Sequence, residues 1–287
     1  MLQMHEVSVI GGRRVYLTGR PGGMTEADLV GNSIPVIFWP VSEEHGQSLG
    51  EAAKYVATRI NESTRETDRY VLAAFEVKDW NLELAPWKAE IPEIGQNFGG
   101  EGEETLRWIQ DAAMPWLQSE AATQEEECGQ PEVTVSTETV ETADTLSTTE
   151  HFTYYIAGYS LGGLFALWAL TVSAAFAGAA ACSASQWFPG WLDHLEEKGL
   201  ADIAECSENP ASTEKANRIV YLSLGGKEHK TPNPFVATIL DATKRCDALL
   251  EKDAAVRKHV LEMNRGGHFS DPDGRVAKGI VWILKNR

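Results

Sequence analysis

Positive charge is scarce in this chain: 25 Lys and Arg stand against 42 Asp and Glu, a formal net charge of −17. Binding a phosphate backbone needs clustered Lys and Arg that displace counterions, so the balance argues against a nucleic-acid partner. It also works against long-range steering of anionic substrates. Cysteine is thin as well. Cys128, Cys182, Cys206 and Cys246 are scattered, with no Cys-x-x-Cys pair and no His cluster. Neither a zinc site nor a dense disulfide framework is expected, and reduced thiols in a cytoplasm are the default. Long apolar runs are missing too. No stretch reaches the roughly 18 to 20 residues that a spanning helix needs, and residues 1–10 lack a basic flank leading into a hydrophobic segment. A soluble, cytoplasmic protein with no membrane partner is the expectation; the composition says nothing about oligomeric state.

What is present can build a substantial core. With 287 residues, 43% of them hydrophobic, the chain can bury one sizeable domain or two small ones. A single domain over 1–287 is the simpler expectation. Much of the negative charge is local: residues 119–150 hold nine Asp and Glu and no Lys or Arg. That segment has few large apolar residues and cannot bury much, so it reads as a flexible acidic insertion. An exposed hairpin or edge strand over 132–140 is the alternative, and neither version assigns it chemistry.

The remaining chain alternates two periodicities. The run at 34–39, short, apolar and partly β-branched, reads as a strand, and further strands are placed at 70–77, 152–157, 177–184, 218–224 and 256–263. Helical spacing occupies 47–60, 103–117, 161–176, 234–255 and 273–284. Repeated strand and helix units imply an α/β fold with a mainly parallel central sheet, flanked by helices on both faces. Residues 78–100, rich in Trp, Pro and Gly, read as a surface connection.

Chemistry enters with Gly158-Tyr159-Ser160-Leu161-Gly162. This Gly-x-Ser-x-Gly directly follows a strand and directly precedes a helix, which is the setting of a nucleophile elbow. The turn lifts a serine hydroxyl above the sheet, and small residues two positions to either side let strand and helix approach. A serine is a poor nucleophile alone, so a base is required. Of seven histidines, only His268 sits in a turn, Arg265-Gly-Gly-His-Phe269, after the last strand and before the last helix. His229 is the one competitor. An acid should hold the imidazole tautomer from the end of the preceding strand, and Leu224-Gly-Gly-Lys-Glu228 ends such a strand. Glu228 is therefore the candidate, with pairing to Lys227 or a capping role as the bland alternative.

An oxyanion hole would take the backbone N–H of Leu161 and a second N–H from the loop after the 34–39 strand. Pro40 has none, so Val41 or Ser42 must serve. The aromatic run Gln186-Trp187-Phe188-Pro-Gly-Trp191 follows the strand after the nucleophile helix. Trp187 and Phe188 are thus candidate walls of a substrate pocket, or equally members of a private loop cluster. Asn97-Phe-Gly-Gly-Glu-Gly102 lacks the Gly-Lys-Ser/Thr ending of a phosphate loop, and a helix-entry turn explains it.

Taken together, Gly-Tyr-Ser160-Leu-Gly-Gly, Ser-Ala-Ser-Gln-Trp187, Leu-Ser-Leu-Gly-Gly-Lys-Glu228 and Gly-Gly-His268 resemble the esterase branch of the α/β-hydrolases. That branch includes enterochelin esterase-like and S-formylglutathione hydrolase-like proteins, and the resemblance spans most of residues 34–287. Asp79-Trp80-Asn81, Ala85-Pro86-Trp87 and Phe98-Gly-Gly100 are similar to its connecting segments. The resemblance implies an α/β-hydrolase fold and puts Ser160, Glu228 and His268 on the triad positions. Three departures stand out: the acidic insertion, a first strand ending in Trp-Pro-Val rather than leading to His-Gly, and a short N-terminus. Siderophore trilactones and glutathione thioesters are anionic, and no compact Arg/Lys cluster accompanies the motifs, so a small neutral or aromatic ester is the expected substrate. Acyl transfer to water through Ser160 needs neither metal nor cofactor. Thioesterase or acyltransferase activity would use the same residues, and a non-catalytic binding protein on a hydrolase scaffold is the reading from another class.

Overall fold

Among the described residues ten strands form, from the apolar runs and from several segments without a strong sequence signal. They are β1 (Val7–Ile10), β2 (Arg13–Arg20), β3 (Ile34–Val41), β4 (Tyr70–Glu76), β5 (Ala89–Ile91), β6 (Gln96–Phe98), β7 (Phe152–Tyr159), β8 (Gly178–Cys182), β9 (Arg218–Gly225) and β10 (Val256–Asn264). The computed structural model describes residues 4–20, 33–43, 48–120, 152–201 and 217–287. Eight strands make one sheet in the order β1-β2-β4-β3-β7-β8-β9-β10, and β5 and β6 make a separate hairpin. Pairing is parallel from β4 through β3, β7, β8 and β9 to β10, and antiparallel only at the β1-β2-β4 end.

The helices are α1 (Leu49–Ser63), α2 (Trp80–Glu83), α3 (Gly102–Trp108), α4 (Leu161–Val172), α5 (Trp191–Lys198), α6 (Pro234–Ala237), α7 (Ile239–Lys252) and α8 (Pro272–Asn286). α3 runs on through a π-helical turn at Ile109–Ala113 into a helical stretch over 114–120. The strand period of two sorts side chains to two cores. Val36, Phe38, Val71, Ala73 and Phe75 face one core with α4, α5 and α7. Ile37, Trp39, Leu72 and Ala74 face the other, where α1 contributes Leu49, Ala53, Val56 and Ile60 and α8 contributes Val276, Ile280 and Ile283. Burying each Val, Leu, Ile or Phe among them stabilises the fold by about 1.5 to 3 kcal/mol, and each alanine by less. β3 and β9 are buried along their whole length, as central parallel strands covered on both faces must be.

Local chemistry fixes the helix starts. Ser48 and Glu51 form a capping box on α1, the Ser48 hydroxyl accepting from Glu51 N–H and the Glu51 carboxylate from Ser48 N–H. Asn233 caps α6 by accepting from the Phe235 and Val236 N–H groups. The expected helix over 234–255 is in fact two, with Thr238 between α6 and α7. The expected helix over 161–176 stops at Val172, so that residues 173–177 can return the chain to β8.

Residues 121–150 of the expected acidic insertion lie outside the described residues, as do Cys128 and Cys206. Ser119 and Glu120 belong to the helical stretch over 114–120. Cys182 and Cys246 are free and buried. Among the described residues no helix is long and apolar enough to cross a membrane.

Candidate active site

Three segments at the carboxyl ends of β7, β9 and β10 meet above the sheet. Ser160 sits between β7 and α4 with φ 55° and ψ −120°, a conformation that costs a non-glycine residue about 1 to 3 kcal/mol. Main-chain bonds hold it there: Ser160 N–H donates to the Cys182 carbonyl at 3.0 Å, and Ser185 N–H donates to the Ser160 carbonyl at 3.0 Å. The flanking glycines answer to close approach. A Cβ on Gly158 would lie 2.1 Å from the Gly162 carbonyl oxygen, so no side chain fits there.

His268 follows β10 and points its ring between the other two residues. Its Nε2 is 3.0 Å from Ser160 Oγ, and its Nδ1 is 2.8 Å from Glu228 Oε2. Glu228, 6% exposed, stands on the turn after β9. Its other oxygen, Oε1, accepts from Ser183 Oγ at 2.7 Å, Gly225 N–H at 2.6 Å and Arg275 Nη1 at 2.9 Å. Burial is the largest single influence on this carboxyl and would raise it, but the bonds from His268, Ser183 and Gly225 together hold it below the usual carboxylate range. Gly225 makes room for the cluster, since a Cβ there would come within 2.7 Å of Glu228 Oε1. The competitor His229 has a buried Nδ1 with no hydrogen-bond partner and does not reach Ser160.

Ser160 and His268 open into a cavity of about 740 Å³. Its walls include Trp39, Tyr55, Trp80, Tyr159 and Phe269, three carboxylates (Asp79, Asp271 and Asp273), and no Lys or Arg among the described residues. Trp80 is held by its turn: the Asp79 side chain accepts from Leu82 N–H, and Glu83 accepts from the N–H groups of Lys78 and Asp79. A Cβ on Gly162 would touch the Trp80 ring at 3.1 Å, which shows how closely that indole covers the start of α4.

The other expected residues divide. Leu161 is the first residue of α4, and Val41 and Ser42 line the cavity at the end of β3. Val41 remains in register with Glu76, and its carbonyl accepts from Val77 N–H at 2.9 Å. Trp187 and Phe188 are a correction: neither lines this cavity. Phe188 is buried against Trp87 and Phe98, and Trp187 packs on Phe98 and Phe235, so the loop after β8 spends its aromatics on a cluster of its own. The cavity wall is instead Trp80, legible beforehand only as part of a connecting segment. Among the described residues no group of three or more His, Cys, Asp or Glu is arranged to hold a metal ion.

The chain has the α/β-hydrolase fold. Similar solved structures include an IroE-like serine hydrolase from Shewanella oneidensis, with TM-score 0.63 and 14% identity over 96% of this chain and 76% of that one. Two more are siderophore hydrolases of Aspergillus nidulans: EstB, at TM-score 0.60 and 14% identity over 98% and 94% of the two chains, and EstA, at 0.56 and 17% over 96% and 90%. No family model matches the sequence, and no match was found among curated proteins.

Proposed function

We propose that this chain is a serine ester hydrolase in which Ser160 is the nucleophile, His268 the general base and Glu228 the acid that orients it. The observation that carries the reading is the unbroken series from Ser160 Oγ to His268 Nε2 at 3.0 Å and from His268 Nδ1 to Glu228 Oε2 at 2.8 Å. Attack of Ser160 on the ester carbonyl passes the hydroxyl proton to His268 Nε2, and Glu228 stabilises the imidazolium. The tetrahedral oxyanion is met by the N–H of Leu161 at the start of α4, with Val41 or Ser42 supplying a second donor. His268 then protonates the leaving alcohol, which departs to leave an acyl-enzyme. A water, deprotonated by the same imidazole, releases the acid and restores Ser160. Only water is consumed.

The walls of the cavity support a small or aromatic ester without negative charge. Aromatic faces of Trp39, Tyr55, Trp80 and Phe269 suit an apolar acyl or aryl group, whereas Asp79, Asp271 and Asp273 repel an anion. Incubation with a fluorophosphonate and peptide mapping tests the reaction: label on Ser160, and loss of p-nitrophenyl acetate turnover in Ser160→Ala, are the expected results. An unlabelled Ser160, or unchanged turnover in the variant, refutes the assignment.

A further inference from the structure

A buried cation stands behind the three residues just assigned. Arg275, 4% exposed, projects from the first turn of α8 into the polar cluster. Its Nη1 donates to Glu228 Oε1 at 2.9 Å, Ser183 Oγ at 2.9 Å and the Tyr159 hydroxyl at 3.0 Å. Its Nη2 donates to the main-chain carbonyls of Arg265 at 3.0 Å and Gly267 at 2.9 Å. One planar group therefore touches the acid, the residue preceding the nucleophile and the loop that carries the base. A flexible ammonium lacks the fixed fork needed to reach all five acceptors.

The two oxygens of Glu228 are unequally occupied. Oε1 is taken by Ser183, Gly225 N–H and Arg275, which among the described residues leaves Oε2 to His268.

From these contacts we infer that Arg275 is a positioning residue for the reaction: it aims one oxygen of Glu228 at His268 and ties the 265–268 loop to that carboxylate. The inference rests on the hydrolase reading above. If Arg275 merely filled buried space, its loss would lower the amount of folded protein without lowering kcat of the protein that folds.

The experiment compares the full-length chain with Arg275→Met and Arg275→Lys, reading kcat and KM separately and following the backbone amides of residues 265–268 by ¹⁵N NMR. Arg275→Met is expected to lose roughly 10- to 100-fold in kcat with KM little changed, and to displace the loop amides. Arg275→Lys keeps the charge but not the fork, so its kcat falls as well, by less. A folded Arg275→Met with wild-type kcat, with a loss carried by KM, or with unmoved loop amides overturns the inference. Should Arg275→Met not fold, Arg275→Lys decides alone: an unchanged kcat is contrary. The loop amides need no turnover, so a displaced loop in a chain without Ser160-dependent hydrolysis would refute the hydrolase reading while leaving the hold of Arg275 on the loop intact.

Discussion

The phenol of Tyr159 donates a hydrogen bond to the main-chain carbonyl of His268, and its ring centroid lies 5.3 Å from that of the imidazole. Two residues far apart in sequence are thereby locked beside each other, one of them the immediate neighbour of Ser160. Burial pushes the Tyr159 phenol up to about 12, so it remains a donor throughout the neutral range. Tyr159→Phe removes this bond and an acceptor for Arg275. The expected outcome is a stability loss of about 1 kcal/mol, with a drop in kcat larger than any change in KM, read from denaturant melts and steady-state kinetics.

Glu228→Gln keeps the shape of the side chain but cannot stabilise an imidazolium, and kcat is expected to fall by roughly 10³-fold or more. Stability carries a second signature. The folded carboxyl is held below its unfolded value, so its contribution is fully present above the unfolded pKa of about 4.3 and is lost as pH falls through the folded value. Denaturation of both proteins across pH should show the wild-type advantage at neutrality shrinking toward acid. An advantage that grows in acid would reverse the sign.

Asp273 behaves in the opposite way. Burial, followed by the like charge of Asp271, raises its carboxyl above the ordinary range. The ionised form is therefore disfavoured in the folded state, and stability is diminished above the raised pKa. Asp273→Asn should be more stable than wild type at pH 7, with the difference vanishing below the unfolded value of about 3.9. Paired melts at the two pH values check this.

Phe269 is 89% exposed at the lip of the cavity and lies edge-on to His268, with centroids 5.2 Å apart. Having little packing to lose, Phe269→Ala should change folding stability by no more than about 0.5 kcal/mol. A substrate that covers the ring would lose apolar contact, so KM for aromatic esters is expected to rise more than KM for acetate esters. Equal effects on both would remove Phe269 from recognition.

Gly158→Ala places a methyl group 2.1 Å from a backbone oxygen of α4, which neither strand nor helix can yield cheaply. Overpacking of this kind costs about 1 to 3 kcal/mol. Both the melting temperature and fluorophosphonate labelling of Ser160 should fall.

The parts of this molecule that were legible in the sequence share a local signature. β3, β4, β7 and β9 are largely apolar runs, and Ser160 and His268 each sit in a glycine-marked turn whose place in the chain order is fixed by the fold. β1 and β2 were missed because they form the antiparallel end of the sheet, where short strands carry a mixed pattern such as Arg13-Arg14-Val15-Tyr16. Arg275 was invisible for another reason. It reads as one more cation on an amphipathic helix, and its side-chain partners Glu228, Ser183 and Tyr159 are 47, 92 and 116 residues away. A charged residue immediately before the buried Val276, a few positions after the proposed base, was the available clue. Trp187 and Trp80 exchanged expectations because sequence proximity to the serine helix does not say which way a loop turns.

The cavity draws Trp39 to Ser42, Ala52, Tyr55, Asp79 to Asn81 and Gln96 from before residue 97, whereas Ser160, Glu228, His268 and Arg275 all come after residue 151. On the proposed reading the triad is written wholly in the later part of the polypeptide, while the cavity wall is drawn from both parts. Substitutions at Tyr55, Trp80 or Gln96 can therefore redraw what is accepted while the hydrogen-bonded series of Ser160, His268 and Glu228 stays untouched, so this scaffold lends itself to divergence at a few positions remote in sequence from the serine.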